Sequence, residues 1–573
     1  MFLPTTKKEV EALNWKQLDI ILVTGDAYID SPFMGVTIIG KVLVAHGFRV
    51  GIIAQPDGDS NMDISRLGEP ALFWGVTGGA VDSMVANYTA SKKRRKKDDY
   101  TPGGINNKRP DRAVIAYSNL IRRFFKTTVP IVLGGIEASL RRIAHYDFWS
   151  NKIRRSILFD AKADYLLFGM AHKSIVSFAL ALKAGLPVQA LKGIAYISNK
   201  KMGRVMPSFE QVRTDNKAYI QSFHLFYQNN DPLTAEQLCQ QHNDRFIILN
   251  PPEYYSTTQE LDDIHSLDFE RELHPFYEKQ GTVRALDTIR FSIPTHYGCY
   301  GECHFCAISV HQGQTVRFRS QASIVAEAKI ISQRKDFKGY ITDLGGPTAN
   351  MYGFECKKKL EKGACLNQRC LFPEPCKQLN PDHSNHMQLI RQIEKLPNIK
   401  KVFISSGIRY DLILNDKKNG PAYLEKIVTD NVSGQMKIAP EHVDPDLLKL
   451  MGKQKIDQLL QFKHQFDLLS KQSGKKQFLT YYFIAAHPGC GMKEMIALKE
   501  FTQKKLNIIP EQVQIFTPSP STYSTLMYAT GYDPFSMTSI FVEKDPVKKE
   551  RQKNAVTKKH LDQNKKRKGT HRR

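Results

Sequence analysis

Long apolar runs are missing from this sequence. The longest, among them DIILVTG and PIVLGG, fall well short of the roughly 20 residues that span a bilayer, so no membrane helix is expected. A leader pattern is not seen at the start either. MFLPTTKKEVEALNWK has no basic segment followed by an apolar stretch and a small-residue cleavage site, so the chain is expected to lack a signal peptide and to be cytoplasmic. No G-x-G-x-x-G occurs, which removes the usual sign of a dinucleotide site. Cysteine is sparse outside one region: seven of the nine lie between 299 and 376, a poor disulfide framework for a large cytoplasmic chain and a better set of metal ligands. Acidic residues are too few to balance basic ones, 57 against 82, leaving a net charge of +25. The excess gathers in residues 544–573, with 13 Lys/Arg against 3 Asp/Glu, and in SKKRRKK at 91–97. The first is expected to be a disordered tail and the second an exposed loop. Such segments either meet a polyanion such as RNA or remain solvated charge.

At 573 residues the chain exceeds one ordinary domain, and two or three are expected. Residues 1–200 open with the apolar strand pattern DIILVTGDAYID, the helical GVTIIGKVLVAHG and a second strand, FRVGIIAQPD. That βαβ idiom recurs, which predicts an N-terminal α/β domain on a parallel, doubly wound sheet. Gly134 and Gly135 could admit a ligand to the backbone or simply serve a tight turn. Residues 201–285 are less regular and read as a connector. From 286 to 520 six short apolar runs, at 287–295, 338–346, 400–408, 434–440, 477–486 and 511–520, alternate with helical patterns. They predict a parallel (βα)6 partial barrel with its chemistry at the C-terminal ends of the strands. Residues 521–573 form a basic C-terminal extension.

HYGCYGECHFCAI follows the first barrel strand and sets Cys299, Cys303 and Cys306 in a C-x3-C-x2-C pattern. Closed zinc and iron–sulfur sites use four protein ligands. Three thiolates on a cubane cluster leave one iron open to a chelating small molecule, which makes the cluster a reaction site.

The spacing resembles that of the radical S-adenosylmethionine (SAM) enzymes. The resemblance implies a 4Fe-4S cluster on Cys299, Cys303 and Cys306, and SAM chelating the fourth iron. It also implies an electron donor such as flavodoxin or ferredoxin, and reductive cleavage of SAM to a 5′-deoxyadenosyl radical. Phe305 matches the aromatic position near the SAM adenine. Gly345 and Gly346 match the Gly-Gly motif whose backbone meets the methionine amine, although Pro347 replaces the usual third-position Glu. Ser405, Ser406 and Arg409 fall where the ribose or carboxylate is held, and Glu441, His442 and His487 end the fourth and fifth strands. TGDAYIDSPFMG, VLGGIEASLRR, DLGGPTANMYG, IAPEHVDPDLLKLMGK and TPSPSTYSTLMYATG together resemble the YgiQ-type bacterial radical SAM proteins, whose substrate is not established.

Four further cysteines, Cys356, Cys365, Cys370 and Cys376, occupy an insertion at 356–376 without clear periodicity. They are either a second metal site, zinc or an auxiliary cluster, or free thiols. Cys239 and Cys490 read as buried structural cysteines. An α/β domain before such a barrel also invites comparison with cobalamin-dependent methyltransferases. The closest stretch to D-x-H-x-x-G is DIHSLD at 263–268, which lacks the glycine, so cobalamin is not supported. The competing reading of the whole chain is a non-catalytic iron–sulfur or zinc protein that binds RNA.

Overall fold

A computed structural model describes residues 1–366 and 368–557. The first strand, Ile20–Thr24, is buried along its whole length and pairs in parallel with Val50–Ala54 on one side and Phe73–Thr77 on the other. Ile131–Gly134 and Tyr165–Leu167 continue the parallel run. Alternate residues of the first strand enter different cores: Ile20 and Leu22 join one cluster, Ile21 and Val23 another. Both faces are thus covered, as an apolar parallel strand requires. Numbering these five strands in chain order, their spatial order is 2-1-3-4-5. Strands one and three are neighbours from which the chain departs in opposite directions, and ligands of doubly wound sheets bind at such a switch point.

The expected connector is a misreading in part. Ile194–Ser198, Arg204–Met206, Leu238–His242 and Arg245–Leu249 extend the same sheet from five strands to nine, and the last three lie within the expected connector. The last two are antiparallel to each other, and a short hairpin carries too little periodicity to be told from a loop by pattern alone.

All six barrel strands are present: Ser292–Pro294, a second split into Tyr340–Ile341 and Asp343–Gly345, then Lys401–Val402, Gln435–Glu441, Phe478–Ala485 and Val513–Ile515. Successive strands pair in parallel, with a bridge from Ile408 to Ile438 joining the third to the fourth. They enclose one core of aliphatic side chains contributed by strands and surrounding helices.

The disordered-tail expectation also requires correction. Pro546–Thr557 is a helix with Lys549, Gln552 and Val556 buried. The Gln552 side chain accepts from Ala486 N–H at 2.9 Å and donates to Cys490 O at 3.1 Å, while Lys549 donates to Tyr528 Oη at 2.8 Å. Composition hid this, because three inward positions suffice to dock a helix whose other faces are charged. Residues 558–573, the rest of the basic tail, lie outside the described residues. Among the described residues no helix is long and apolar enough to cross a membrane.

Candidate functional site

The cysteine loop leaves the first barrel strand at Gly298, whose φ of +81° and lack of room for a β-carbon, 2.4 Å from Thr315 O, demand glycine there. Gln312 Oε1 and Gly313 O receive the N–H groups of Gly298 and Cys299. The loop closes on itself: Gly301 N–H donates to Cys299 Sγ at 3.3 Å, and Cys306 N–H to Cys303 O at 3.0 Å. A β-carbon on Gly301 would lie 3.2 Å from Cys299 Sγ, 3.6 Å from Cys303 Sγ and 2.9 Å from Arg409 Nη1. Two sulfurs and a guanidinium therefore surround one bare backbone position. Burial pushes the Cys306 thiol up to about 12, with the Cys303 and Cys299 sulfurs adding to the rise, and Cys299 is raised for the same first cause. Buried thiols of this kind ionise only against nearby positive charge, and Arg409 Nη1 stands 3.9 Å from Cys303 Sγ. This donor set suits an iron–sulfur cluster with three protein ligands. Among the described residues no three His, Cys, Asp or Glu side chains are grouped as ligands for a single metal ion.

The other strand ends converge beside the loop. A β-carbon on Gly346 would stand 2.7 Å from the His296 ring, and one on Gly345 would stand 2.9 Å from Ser406 Oγ. Gly345 O is already held by Thr295 N–H at 2.8 Å. Ser405 does not point outward: its hydroxyl donates to Thr342 O at 2.7 Å. Asp343, which the sequence did not single out, accepts from the N–H groups of Ser405 and Ser406 at 2.7 and 3.0 Å and so binds the third strand end to the second. Arg409 is gripped by Asp411 through Nε at 3.0 Å and Nη2 at 2.5 Å, which holds it above its ordinary range against the opposing pull of burial. Asp411 lies two residues away on the next helix, a signal too short-range to stand out in the sequence.

Glu441 ends the fourth strand in the left-handed region, φ +69°, and burial raises its carboxyl to about 7 while Lys453 at 3.8 Å draws it back. His487 is held down to about 3 by burial. Its ring is neutral, with Nδ1 donating to Pro488 O at 2.8 Å and Nε2 accepting from Ser524 Oγ at 2.6 Å. Phe305 meets it edge-on, ring centres 6.4 Å apart. His442 is fully buried nearby, with Nδ1 accepting from Asp444 N–H.

Three of the four later cysteines, Cys356, Cys370 and Cys376, pack about one apolar cluster, and Cys365 stands apart from them. Cys365 is exposed and Cys356 buried, while Cys370 and Cys376 border an apolar cluster built on Tyr300, Met351, Phe354 and Leu371. What ties the insertion down is this cluster and a buried ion pair, Lys359 with Glu302 at 3.2 Å. Lys359 Nζ also reaches Cys370 Sγ at 3.6 Å. Cys239 and Cys490 are buried.

Residues 2–292 match the family described as "Radical SAM N-terminal", and residues 293–501 the "Radical SAM superfamily". A "UPF0313 protein" of Fusobacterium nucleatum is 56% identical over 561 residues, covering 97% of this chain and 99% of its own. One from Thermotoga maritima is 47% identical over 565 residues, covering 98% and 99%. Among solved structures, the radical SAM methyltransferase TsrM from Kitasatospora setae gives a TM-score of 0.46 at 12% identity, over 88% of this chain and 75% of that one. The cobalamin-dependent SAM radical enzyme OxsB gives 0.49 at 12%, over 89% and 55%.

Proposed function

This chain belongs to the UPF0313 family of radical SAM proteins, the YgiQ type, and from that premise we propose that it is an enzyme whose Cys299, Cys303 and Cys306 hold a 4Fe-4S cluster. When bound and reduced, the cluster supplies the electron that cleaves SAM to methionine and a 5′-deoxyadenosyl radical. The chain's own part is to hold, orient and enclose. Arg409 places fixed positive charge beside the thiolates, and Asp411 keeps it from turning away. Because Gly345 O is occupied by Thr295, backbone contact with the methionine amine falls to Gly346. Phe305 and His487 offer an apolar wall to the adenine, and the neutral His487 ring adds no charge there.

The observation that carries this reading is the gathering of two cysteine sulfurs and Arg409 around Gly301 at the mouth of the barrel. Anaerobic reconstitution tests it. The wild type should bind one cluster whose reduced electron paramagnetic resonance signal changes on adding SAM, and Cys303→Ala should release no 5′-deoxyadenosine under dithionite. Full SAM cleavage by that variant would defeat the assignment.

A second role is favoured by one observation. The basic loop at 91–97 and the C-terminal helix meet, with Ser91 Oγ donating to Glu550 Oε1 at 2.5 Å and Lys92 and Lys549 both lying over the Phe148 ring, at 4.7 and 5.1 Å. Lys549 is buried there, but the six basic residues at 92–97 are exposed; gathering like charges on one face costs energy unless a polyanion offsets it, and RNA contact there fits.

A further inference from the structure

The four parallel strands that begin at Ile20, Phe73, Ile131 and Tyr165 all run into glycine at their C-terminal ends, at Gly25, Gly78–Gly79, Gly134–Gly135 and Gly169. Some of these glycines are explained by packing: β-carbons at 25, 79 and 135 would strike Gly78 O, Asp26 and Thr77 within 2.3 Å. Gly169 is fixed by its backbone, φ +76°, although a β-carbon there would meet only His311 O, at 3.5 Å. Gly134 is explained by neither cause: a β-carbon there would meet only Leu167 O, at 3.9 Å. Gly134 has extended backbone, φ −155° and ψ −177°, which any residue adopts. Over this bare backbone lies a cavity of about 370 Å³, within the usual size of small-molecule sites. It sits at the switch point between the first and third strands, where an open α/β sheet receives its ligand.

The walls state what the cavity would accept. Leu22, Val76, Leu133 and Leu167 line it from the sheet. Thr24 and Thr77 each accept one backbone N–H, from Asp26 and Gly79, and each has its hydroxyl hydrogen left to donate. The helix Gly35–Ala45 starts at the cavity without a side-chain cap, which leaves the N–H groups of Gly35 and Val36 to face it, while at the helix Ser174–Lys183 Ile175 N–H is already spent on Ala171 O at 2.9 Å. The charged lining residue is a carboxylate, Asp26, matched by Arg109 at 2.7 Å. An anion would meet that carboxylate and no lysine or arginine among the lining residues. The far wall belongs to the other domain: Ile308 and His311 stand on the helix that follows Cys306, and His311 Nδ1 is buried without a partner.

We propose that this cavity is a second binding site, taking an uncharged, flat and mainly apolar small molecule with hydrogen-bond acceptors along one edge. The glycine floor admits a ring face, the threonine hydroxyls and the start of the helix Gly35–Ala45 meet the acceptor edge, and the ligand lies between the N-terminal sheet and the helix behind the cluster loop. The site stands on the geometry of the sheet and does not depend on what the cysteines hold.

Two dyes that differ by one charge test it: N-phenyl-1-naphthylamine and its sulfonated analogue, 1-anilinonaphthalene-8-sulfonate, titrated into the full-length reconstituted protein by fluorescence. The neutral dye should bind at one site and at least tenfold more tightly than the sulfonate. Gly134→Leu, which fills the cavity from its floor, should weaken it at least tenfold with the circular dichroism melt unchanged. Ile39→Phe fills the cavity from the helix side and serves if the first variant does not fold. Equal dye affinity in a folded variant, or tighter binding of the sulfonate, overturns the site. Iron content measured on the same samples decides the cluster assignment separately.

Discussion

Gly346 shows how little freedom single positions have here. With its β-carbon 2.7–2.9 Å from three atoms of the buried His296 ring, Gly346→Ala forces two strand ends apart. It should cost about 1–3 kcal/mol in a denaturant melt and lower SAM affinity, measured by equilibrium dialysis of the reconstituted protein. Arg409 is constrained through chemistry instead. Its grip on Asp411 uses Nε and Nη2 together while Nη1 faces Cys303, a fork that lysine cannot reproduce. Arg409→Lys should keep its iron and slow SAM cleavage roughly 10- to 100-fold, the loss of one or two charge-assisted bonds. Unchanged turnover would mean that the guanidinium serves only the fold.

The short helix Lys357–Lys362 is tied to the cysteine loop by a buried pair, since Lys359 and Glu302 have almost no contact with solvent. Removing one partner from such a pair leaves an uncompensated charge and costs about 3–5 kcal/mol, whereas replacing both with apolar groups is often neutral. Lys359→Met should therefore melt early, and Lys359→Met with Glu302→Leu should recover most of the loss; failure to recover would point back to metal holding the insertion. The C-terminal helix makes a pH-dependent prediction. Burial lowers Lys549 to about 8, so above that pH the folded state holds fewer protons here than the unfolded chain. Stability should rise from about pH 8 until the unfolded lysine also titrates near 10.4. Lys549→Met should remove that slope from the melting temperature.

For the whole molecule, the tail divides into two parts with different work. Ending the chain at Asp545 strips the partner from Ala486 N–H, one residue from His487, and should lower the melting temperature and impair SAM cleavage. Ending it at Thr557 should leave both unchanged, yet remove eight of the basic residues. Single-stranded RNA affinity should then fall, and the slope of log K against log salt should shrink by about 0.7 for each phosphate that the shortened chain no longer neutralises. An unaltered slope would exclude the tail from RNA binding.

The sequence by itself pointed to the cofactor class, because three thiols within eight residues suit a cluster with one iron left open and their spacing resembles that of the radical SAM enzymes. It also determined the alternation of six strands with helices, since buried parallel strands must be apolar and their crossovers periodic. The glycines at 345 and 346 stood out only through the resemblance to the Gly-Gly motif. Other features depended on residues far apart in the chain. Ser405 reads as a polar contact, but Thr342 O, over sixty residues earlier, takes its hydroxyl. The tail reads as disordered because its charge outweighs its apolar content, and only the pockets at Tyr528 and Ala486 make three inward side chains enough to dock it. The cysteines of the insertion read as either a metal site or free thiols, and the fold sends Cys365 to solvent while it leaves Cys356, Cys370 and Cys376 about one apolar cluster. Nor could local pattern find the cavity over Gly134, since its floor, helix starts and far wall come from segments separated by up to 280 residues. Long-range packing decides which donors are spent and which face a cavity, and no periodicity records it.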